Sequence, residues 1–206
     1  MTGPSQAQYP RGAIGSLFGR LMGWLNADKE RLAVQQLGLK GAEVVLELGF
    51  GSGVGLRELV RQLPQGSVAG AEPSSAMRAQ AVARFARTDR ASVQIRNGSS
   101  SRIPWPDNSF DAVVSVNNLQ FWRLPEDLSE VARVLQPAGR LSVAVHAWSM
   151  QERLAAPSPA AALDRLSEIL AGSGFTVLQA YVGIARSRAP LYLLTLKTAG
   201  VPSRAR

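Results

Sequence analysis

A glycine-rich segment is the part of this chain whose residue types most directly indicate chemistry. It reads Glu47-Leu48-Gly49-Phe50-Gly51-Ser52-Gly53. Glycines let a ligand approach the backbone closely and expose N–H groups that a side chain would screen. An apolar run precedes the segment and a helical period follows it, so the segment is predicted to lie where a buried strand turns into a helix. Such a turn indicates a nucleotide-binding site rather than a plain loop.

Two common nucleotide motifs do not fit this segment. The dinucleotide pattern G-x-G-x-x-G/A would place its last glycine or alanine at Val54 or at Leu56, depending on the register. A P-loop would need a Gly-Lys-Ser/Thr sequence, which does not follow. The segment therefore disfavours NAD, FAD and the phosphate loop of ATPases and GTPases.

An acidic residue at the end of the next apolar run is the second candidate. Glu72 lies 19 residues after Gly53, and a carboxylate at that strand end can accept hydrogen bonds from both ribose hydroxyls of a nucleotide. Pro73 and Met77 are candidates to pack on the adenine ring. Alternatively, Glu72 is a helix N-terminal acid beside Ser74, and Met77 is ordinary core.

The composition removes several classes of site. The chain has 206 residues, a net charge of +8, no cysteine and one histidine, His146. Disulfides, cysteine nucleophiles, thiolate zinc sites and histidine clusters are thereby excluded, and no metal is expected. Of the 23 basic residues, 20 are arginines, and their spread along the chain is weak evidence for nucleic acid. No run is apolar enough for a membrane span, so a cytoplasmic protein is expected.

Strand-like and helical patterns alternate along most of the chain. Strands are predicted at 44–48, 67–72, 92–96, 112–116 and 140–145, helices at 54–63, 74–87, 125–135 and 159–170, and a closing strand pair at 175–182 and 191–196. This alternation predicts an α/β fold with a doubly wound, mostly parallel sheet that is covered on both faces.

The ends of the chain have a different character. Residues 1–40 are predicted to form an arm and a helical cap, with one amphipathic helix over 14–25 and a second helical stretch that stops at Gly38. The cap either covers the core or faces a substrate. Residues 41–200 form the predicted ligand-binding domain, and 201–206 a disordered tail.

Four segments occur in the order that is typical of a known family. They cover residues 45–53, 70–77, 98–110 and 133–141. The stretch IPWPDNSFDAV at 103–113 resembles the family's LPFPDxSFDxV, and RVLQPAGRL at 133–141 resembles RVLKPGGRL. The chain thus resembles the class I S-adenosylmethionine-dependent methyltransferases, in particular the small-molecule methyltransferase domain of ubiquinone and menaquinone biosynthesis enzymes. The resemblance implies a Rossmann-like sheet of seven strands with an N-terminal helical extension.

The resemblance also implies a cofactor site for S-adenosylmethionine, with S-adenosylhomocysteine as the product. Its residues would be Glu47, Gly49, Phe50, Gly51, Gly53, Glu72, Pro73, Met77, Ser99, Ser100 and Asn117. The family usually has an aspartate after the third strand to bind the adenine amino group, and here Ser99 follows Gly98 instead. A serine hydroxyl accepts that hydrogen bond more weakly, whereas Ser100 can still offer its backbone N–H.

The acceptor side of the site is less defined. Asn118, Phe121 and Trp122 follow the fourth predicted strand and are candidates for the acceptor wall. The asparagine is equally a turn former, and the two aromatic side chains can form a core plug. His146 follows the fifth strand and is a candidate base, or else an ordinary boundary histidine. Methyl transfer from a sulfonium needs little beyond positioning and desolvation, so no base is required.

The sequence thus predicts S-adenosylmethionine-dependent methyl transfer to a small apolar or aromatic molecule. An RNA- or ribosome-directed methyltransferase is the first alternative, suggested by the charge of +8, although no Asn-Pro-Pro-Tyr-like motif is present. A non-catalytic binding member of the fold is the second, suggested by Ser99. The sequence leaves the oligomeric state open, a homodimer included.

Overall fold

The computed structural model describes residues 27–86, 93–184 and 190–198, which are built around one sheet of seven strands. The strands are β1 Val44–Leu48, β2 Ser67–Ala71, β3 Val93–Arg96, β4 Phe110–Val116, β5 Leu135–His146, β6 Phe175–Ile184 and β7 Pro190–Thr198. Their order across the sheet is β3-β2-β1-β4-β5-β7-β6. Only the pairs that involve β7 are antiparallel. This is the predicted doubly wound, mostly parallel sheet.

Helices cover both faces of the sheet. They are α1 at 27–36, α2 Val54–Gln62, α3 Ser75–Phe85, α4 Glu126–Val134, α5 Ala147–Arg153 and α6 Pro159–Gly172, with a 3₁₀ turn at Leu119–Phe121. Buried residues of α1, α2 and α3 pack on one face, and those of α4, α5 and α6 pack on the other. A parallel sheet that is covered in this way needs strands with apolar residues on both faces, as in the run Val44–Leu48.

One predicted boundary was wrong, and one helix was not predicted. The fifth strand begins at Leu135 rather than at 140, because the turn at 136–139 lies inside the strand as an irregularity. The pairing with β4 jumps there from Leu135 to Arg140, and Ala138 has a φ of +66°. Helix α5 had no counterpart among the predicted elements, since its seven residues are too short for a clear helical period.

Helix α1 runs antiparallel to β5. Near the end of α1, Ser142 donates its hydroxyl to the carbonyl of Ala33 at 2.8 Å. Near its start, Lys29 contacts His146 at the carboxyl end of β5. The first turn of α1 therefore lies at the edge of the sheet where the glycine-rich segment lies. The predicted stop at Gly38 is confirmed, with a φ of +57°.

Some predictions concern residues outside the described ranges. The arm and the helix over 14–25 lie there, as does the tail at 201–206. Within the described ranges, no helix combines the length and the apolarity that crossing a bilayer would require.

Arg133 of α4 connects two of the four family-like segments. Its guanidinium donates to the carbonyls of Trp105 at 2.9 Å and Ile103 at 3.1 Å, and it pairs with Asp107 at 2.8 Å. Glu130, one turn earlier, also pairs with Arg133 and accepts from the N–H of Ile103 at 2.8 Å. These two segments therefore together shape the loop before β4.

Candidate functional site

The glycine-rich loop bends sharply between β1 and α2. Gly49 and Gly51 have φ values of +71° and +52°, in the left-handed region that favours glycine. A Cβ on Gly49 would lie 2.4 Å from Nδ2 of Asn118, whereas a Cβ on Gly51 would meet no atom within 4 Å. The loop thus needs glycine at Gly49 for close packing. At Gly51 its backbone faces open space, where a ligand could approach it.

Glu72 at the end of β2 is fixed against this loop. One carboxylate oxygen accepts from the N–H of Gly51 at 3.1 Å, and the other accepts from the N–H of Ser74 at 2.8 Å. The side chain is 6% exposed, and burial raises its pKa, although both hydrogen bonds and Arg78 act in the opposite direction. A carboxylate has about four lone-pair positions, so Glu72 retains further acceptor positions for a ligand.

Arg78 of α3, which the sequence analysis missed, fixes the segment after Glu72. Its Nη1 donates to the carbonyls of Glu72 at 2.7 Å and Pro73 at 2.8 Å, and to the side-chain oxygen of Asn97 at 3.0 Å. A cation near a helix N-terminus opposes the helix dipole, and that mismatch is the signal that could have identified it. Arg78 thereby positions Pro73, one of the predicted adenine contacts.

The serine loop after β3, residues 99–102, is fixed by backbone and side-chain hydrogen bonds. Ser99 and Arg102 exchange two backbone hydrogen bonds of 3.1 Å, and the hydroxyl of Ser99 lies 2.9 Å from that of Ser101. The hydroxyl of Ser100 donates to the buried carboxylate of Asp127 at 2.7 Å. The Ser100 hydroxyl is therefore committed, and its predicted contact with adenine would have to use the backbone.

Asp127, a second residue that was not predicted from the sequence, anchors this loop through its carboxylate. It is buried and accepts from the backbone N–H of Arg123 at 3.0 Å and from its Nε at 3.1 Å, in addition to Ser100. An acid in the first turn of a helix is common, so the sequence alone does not distinguish Asp127 from its exposed neighbour Glu126.

Replacing Asp127 with alanine should destabilise the fold. Because three donors would lose a buried acceptor, we expect the free energy of unfolding to fall by about 2–4 kcal/mol in urea denaturation. Asp164→Ala on the exposed face of α6 is the matched control and should change stability little. A stability for Asp127→Ala that equals the control would show that the Ser100 loop does not depend on this carboxylate.

The two asparagines after β4 meet the glycine loop and β5. Asn117 has a left-handed φ of +48°, and its N–H donates to the carbonyl of Ala144 at 2.7 Å. The side chain of Asn118 donates to the carbonyl of Leu48 at 3.2 Å and covers Gly49. The structure thus brings Asn118 to the loop, where its amide braces the loop's base, and Asn117 to the end of β5.

The predicted aromatic pair is split between surface and core. Phe121 is 39% exposed, whereas Trp122 is 1% exposed and lies in the core on the α4 side of the sheet. The core-plug alternative is therefore favoured for Trp122. Phe50 is buried as well, and its ring packs against Gly70, so only its backbone is left for a ligand.

His146 is paired with a lysine from α1. Its Nε2 lies 3.0 Å from Nζ of Lys29, and burial together with that lysine lowers the pKa of the imidazole. With Lys29 charged, the ammonium donates to Nε2, and the neutral ring carries its proton on Nδ1. The ring of Trp148, which the sequence analysis did not select, stacks on His146 at 6.1 Å and is 63% exposed.

Two carboxyl groups meet beneath the glycine loop. A Cβ on Gly55 would lie 2.3 Å from an oxygen of Glu47 and 2.6 Å from an oxygen of Glu30 in α1, so only glycine fits beside them. Burial raises the pKa of Glu30 to about 8, and burial together with Glu30 raises that of Glu47 well above its usual range. Glu47 was a predicted site residue, whereas nothing in the sequence indicated Glu30, whose partner is visible only in the fold.

The donor set indicates which ligands fit. In the described part of the chain, histidines and acids form no group of three that could hold a metal ion. One oxygen of Glu30 and one of Glu47 are buried without a hydrogen-bond partner among the described residues. A buried acidic pair, a bare glycine backbone and a fixed acceptor carboxylate together suit a nucleoside that carries a cationic group.

Comparisons with known proteins agree with this geometry. Residues 45–139 match the family described as methyltransferase domain. YdaC, an uncharacterized methyltransferase of Bacillus subtilis, is 28% identical over 144 residues, which are 69% of this chain and 75% of YdaC. A demethylmenaquinone methyltransferase of Tropheryma whipplei is 33% identical over 138 residues, which are 64% of this chain. The chain covers about half of that relative, 53% of its length.

Solved structures share the fold. A methyltransferase of Aquifex aeolicus, described as dependent on S-adenosylmethionine, superposes with a TM-score of 0.72 at 20% identity, over 89% of this chain and 98% of that one. A Haloferax volcanii methyltransferase, solved in complex with the Trm112 activator, gives a TM-score of 0.74 at 20% identity, over 92% and 96% of the two chains. At these identities the likeness shows the architecture alone.

Proposed function

Because the chain belongs to the class I S-adenosylmethionine-dependent methyltransferases, we propose that it methylates a small apolar or aromatic molecule. The observation that carries the cofactor half of this proposal is the Glu72 carboxylate, which is fixed against the bare backbone of Gly51. The demethylmenaquinone methyltransferases among the relatives support a small acceptor. Two aromatic side chains that are exposed at the carboxyl edge, Phe121 and Trp148, support an acceptor with an apolar ring.

Each residue of the site then has a defined task toward the cofactor. Glu72 accepts from the ribose hydroxyls, the loop from Gly49 to Gly53 packs its backbone against the nucleoside, and Ser99 and Ser100 bind the adenine edge. Asn117, at the end of β4, contacts the methionyl portion. The bound cofactor supplies a sulfonium methyl with a good leaving group, so the chain's contribution is mainly to orient and to exclude water.

The acceptor would lie between Asn118, Phe121 and His146. Since Lys29 occupies Nε2 of His146, that nitrogen is not available to remove a proton from an acceptor, and Nδ1 is buried without a hydrogen-bond partner among the described residues. This modifies the role of a base for which His146 was selected. Trp148, stacked on the imidazole, widens the apolar surface of the same site.

Calorimetric titration of S-adenosylhomocysteine into the purified protein tests the cofactor half of the proposal. We expect one site with micromolar affinity. Transfer of a radiolabelled methyl group from S-adenosylmethionine to a panel of phenols and hydroquinones, with total RNA in parallel, tests the acceptor half. The absence of binding would overturn the assignment of the cofactor, and labelling of RNA alone would overturn the small acceptor.

A further inference from the structure

The carboxyl pair beneath the loop is an unusual feature for a ligand site. Glu30 and Glu47 are 7% and 1% exposed and come from different elements, α1 and β1. Glu30 lies outside the matched segment 45–139, so its presence at the loop does not follow from the family match. Two adjacent buried carboxylates repel each other strongly, and the pKa values of Glu30 and Glu47 are both raised, which favours a protonated pair at neutral pH.

The pair is next to both ends of the glycine loop. Glu47 comes two residues before Gly49, and Gly55, which touches both carboxyls, comes two residues after Gly53. Each carboxyl has one buried oxygen without a hydrogen-bond partner in the described ranges. A buried acceptor without a donor costs free energy, and here both members of one pair have such an acceptor.

Other charged groups surround the pair. Lys29 and Asp28 neighbour Glu30 on α1, His146 of β5 contacts Lys29, and Glu72 of β2 acts on Glu47 through its charge. The Lys29 ammonium lies 3.0 Å from Nε2 of His146, and its charge lowers the pKa of Glu30 by less than burial raises it. A ligand cation would bring further positive charge and hydrogen-bond donors to the pair.

We propose that Glu30 and Glu47 share a proton in the free protein, and that the α-ammonium group of the cofactor takes the place of this proton. The inference rests on the proposed function, because it requires the methionyl end of the cofactor to lie over this loop. The exchange balances: a charged ammonium enters, the pair becomes a dicarboxylate, and one proton leaves to solvent. Glu30 is thereby a positioning residue for the cofactor, contributed by the helical cap.

Proton exchange gives this inference a direct readout. At pH 7 we expect the binding of S-adenosylhomocysteine to release about one proton, measured by calorimetry in buffers of different ionisation enthalpy. Because the free pair must lose its proton, the affinity should rise with pH, at most about tenfold per unit, and level off above the Glu30 pKa of about 8.

Two matched comparisons isolate the pair. Methylthioadenosine keeps the nucleoside but lacks the ammonium and the carboxylate, so its binding should release no proton. Glu30→Gln should bind S-adenosylhomocysteine with a release close to zero, whereas Glu168→Gln on α6 should release as much as the unmodified protein. If Glu30→Gln does not fold, the two ligands on the unmodified protein still decide the question.

The outcomes separate this inference from the proposed function. S-adenosylhomocysteine that binds without proton release, or with the release seen for methylthioadenosine, would overturn the proton exchange and leave the methyltransferase assignment intact. A folded Glu30→Gln protein with unchanged release would overturn the role of Glu30. No binding of S-adenosylhomocysteine at all would remove both.

Discussion

Replacing Glu72 with alanine is expected to weaken the binding of S-adenosylhomocysteine by roughly 10- to 150-fold in a calorimetric titration, corresponding to about 1.5–3 kcal/mol. The carboxylate is buried and fixed by the N–H groups of Gly51 and Ser74. Its remaining lone pairs are therefore oriented before the ligand arrives, and little ordering is required on binding. Removing it would delete the two charge-assisted hydrogen bonds that we propose it makes to the ribose.

The variant also removes the partner of two backbone donors, so its fold must be checked. Thermal unfolding separates a loss of affinity from a loss of structure, and Glu72→Gln, which retains one acceptor oxygen, should bind with intermediate affinity. Glu168→Gln on an exposed face provides the charge control. Unchanged affinity in a folded Glu72→Ala protein would exclude this carboxylate from the ribose site.

The second large effect concerns stability. We expect Trp122→Ala to lower the free energy of unfolding by about 3–5 kcal/mol in urea denaturation, because a fully buried indole would leave a cavity. The side chain lies in the same core cluster as Leu119 and Leu128. The sequence does not reveal that Trp122 is buried and Phe121 exposed, since the two residues are adjacent and both are aromatic.

A second substitution at the same position tests the alternative role. Trp122→Phe keeps most of the volume and removes the indole N–H, which has no hydrogen-bond partner among the described residues. Its cost should be below about 1.5 kcal/mol, with the KM for the acceptor unchanged. A raised KM in a stable Trp122→Phe protein would show that this side chain contacts the acceptor.

Local signals predicted most of the architecture. The strands and helices from Val44 to Thr198 were anticipated to within a few residues, apart from α5 and the start of β5. Each depends on hydrophobic periods, glycines and prolines that act over a few positions. A parallel sheet then follows from the alternation of strands and helices, because each crossover has one preferred hand.

The candidate site likewise divides into residues that local sequence signals identify and residues that only tertiary contacts identify. The sequence by itself determined the glycine loop, Glu72 and the asparagines after β4, because strand ends meet at one edge of the sheet and the residue types carry the chemistry. Only the tertiary structure decided that Glu30 meets Glu47, that Asp127 holds Ser100 over 27 positions, and that Lys29 contacts His146 over 117 positions. Such contacts depend on how helices pack across the sheet, and a packed pair leaves no periodic trace in either of its segments.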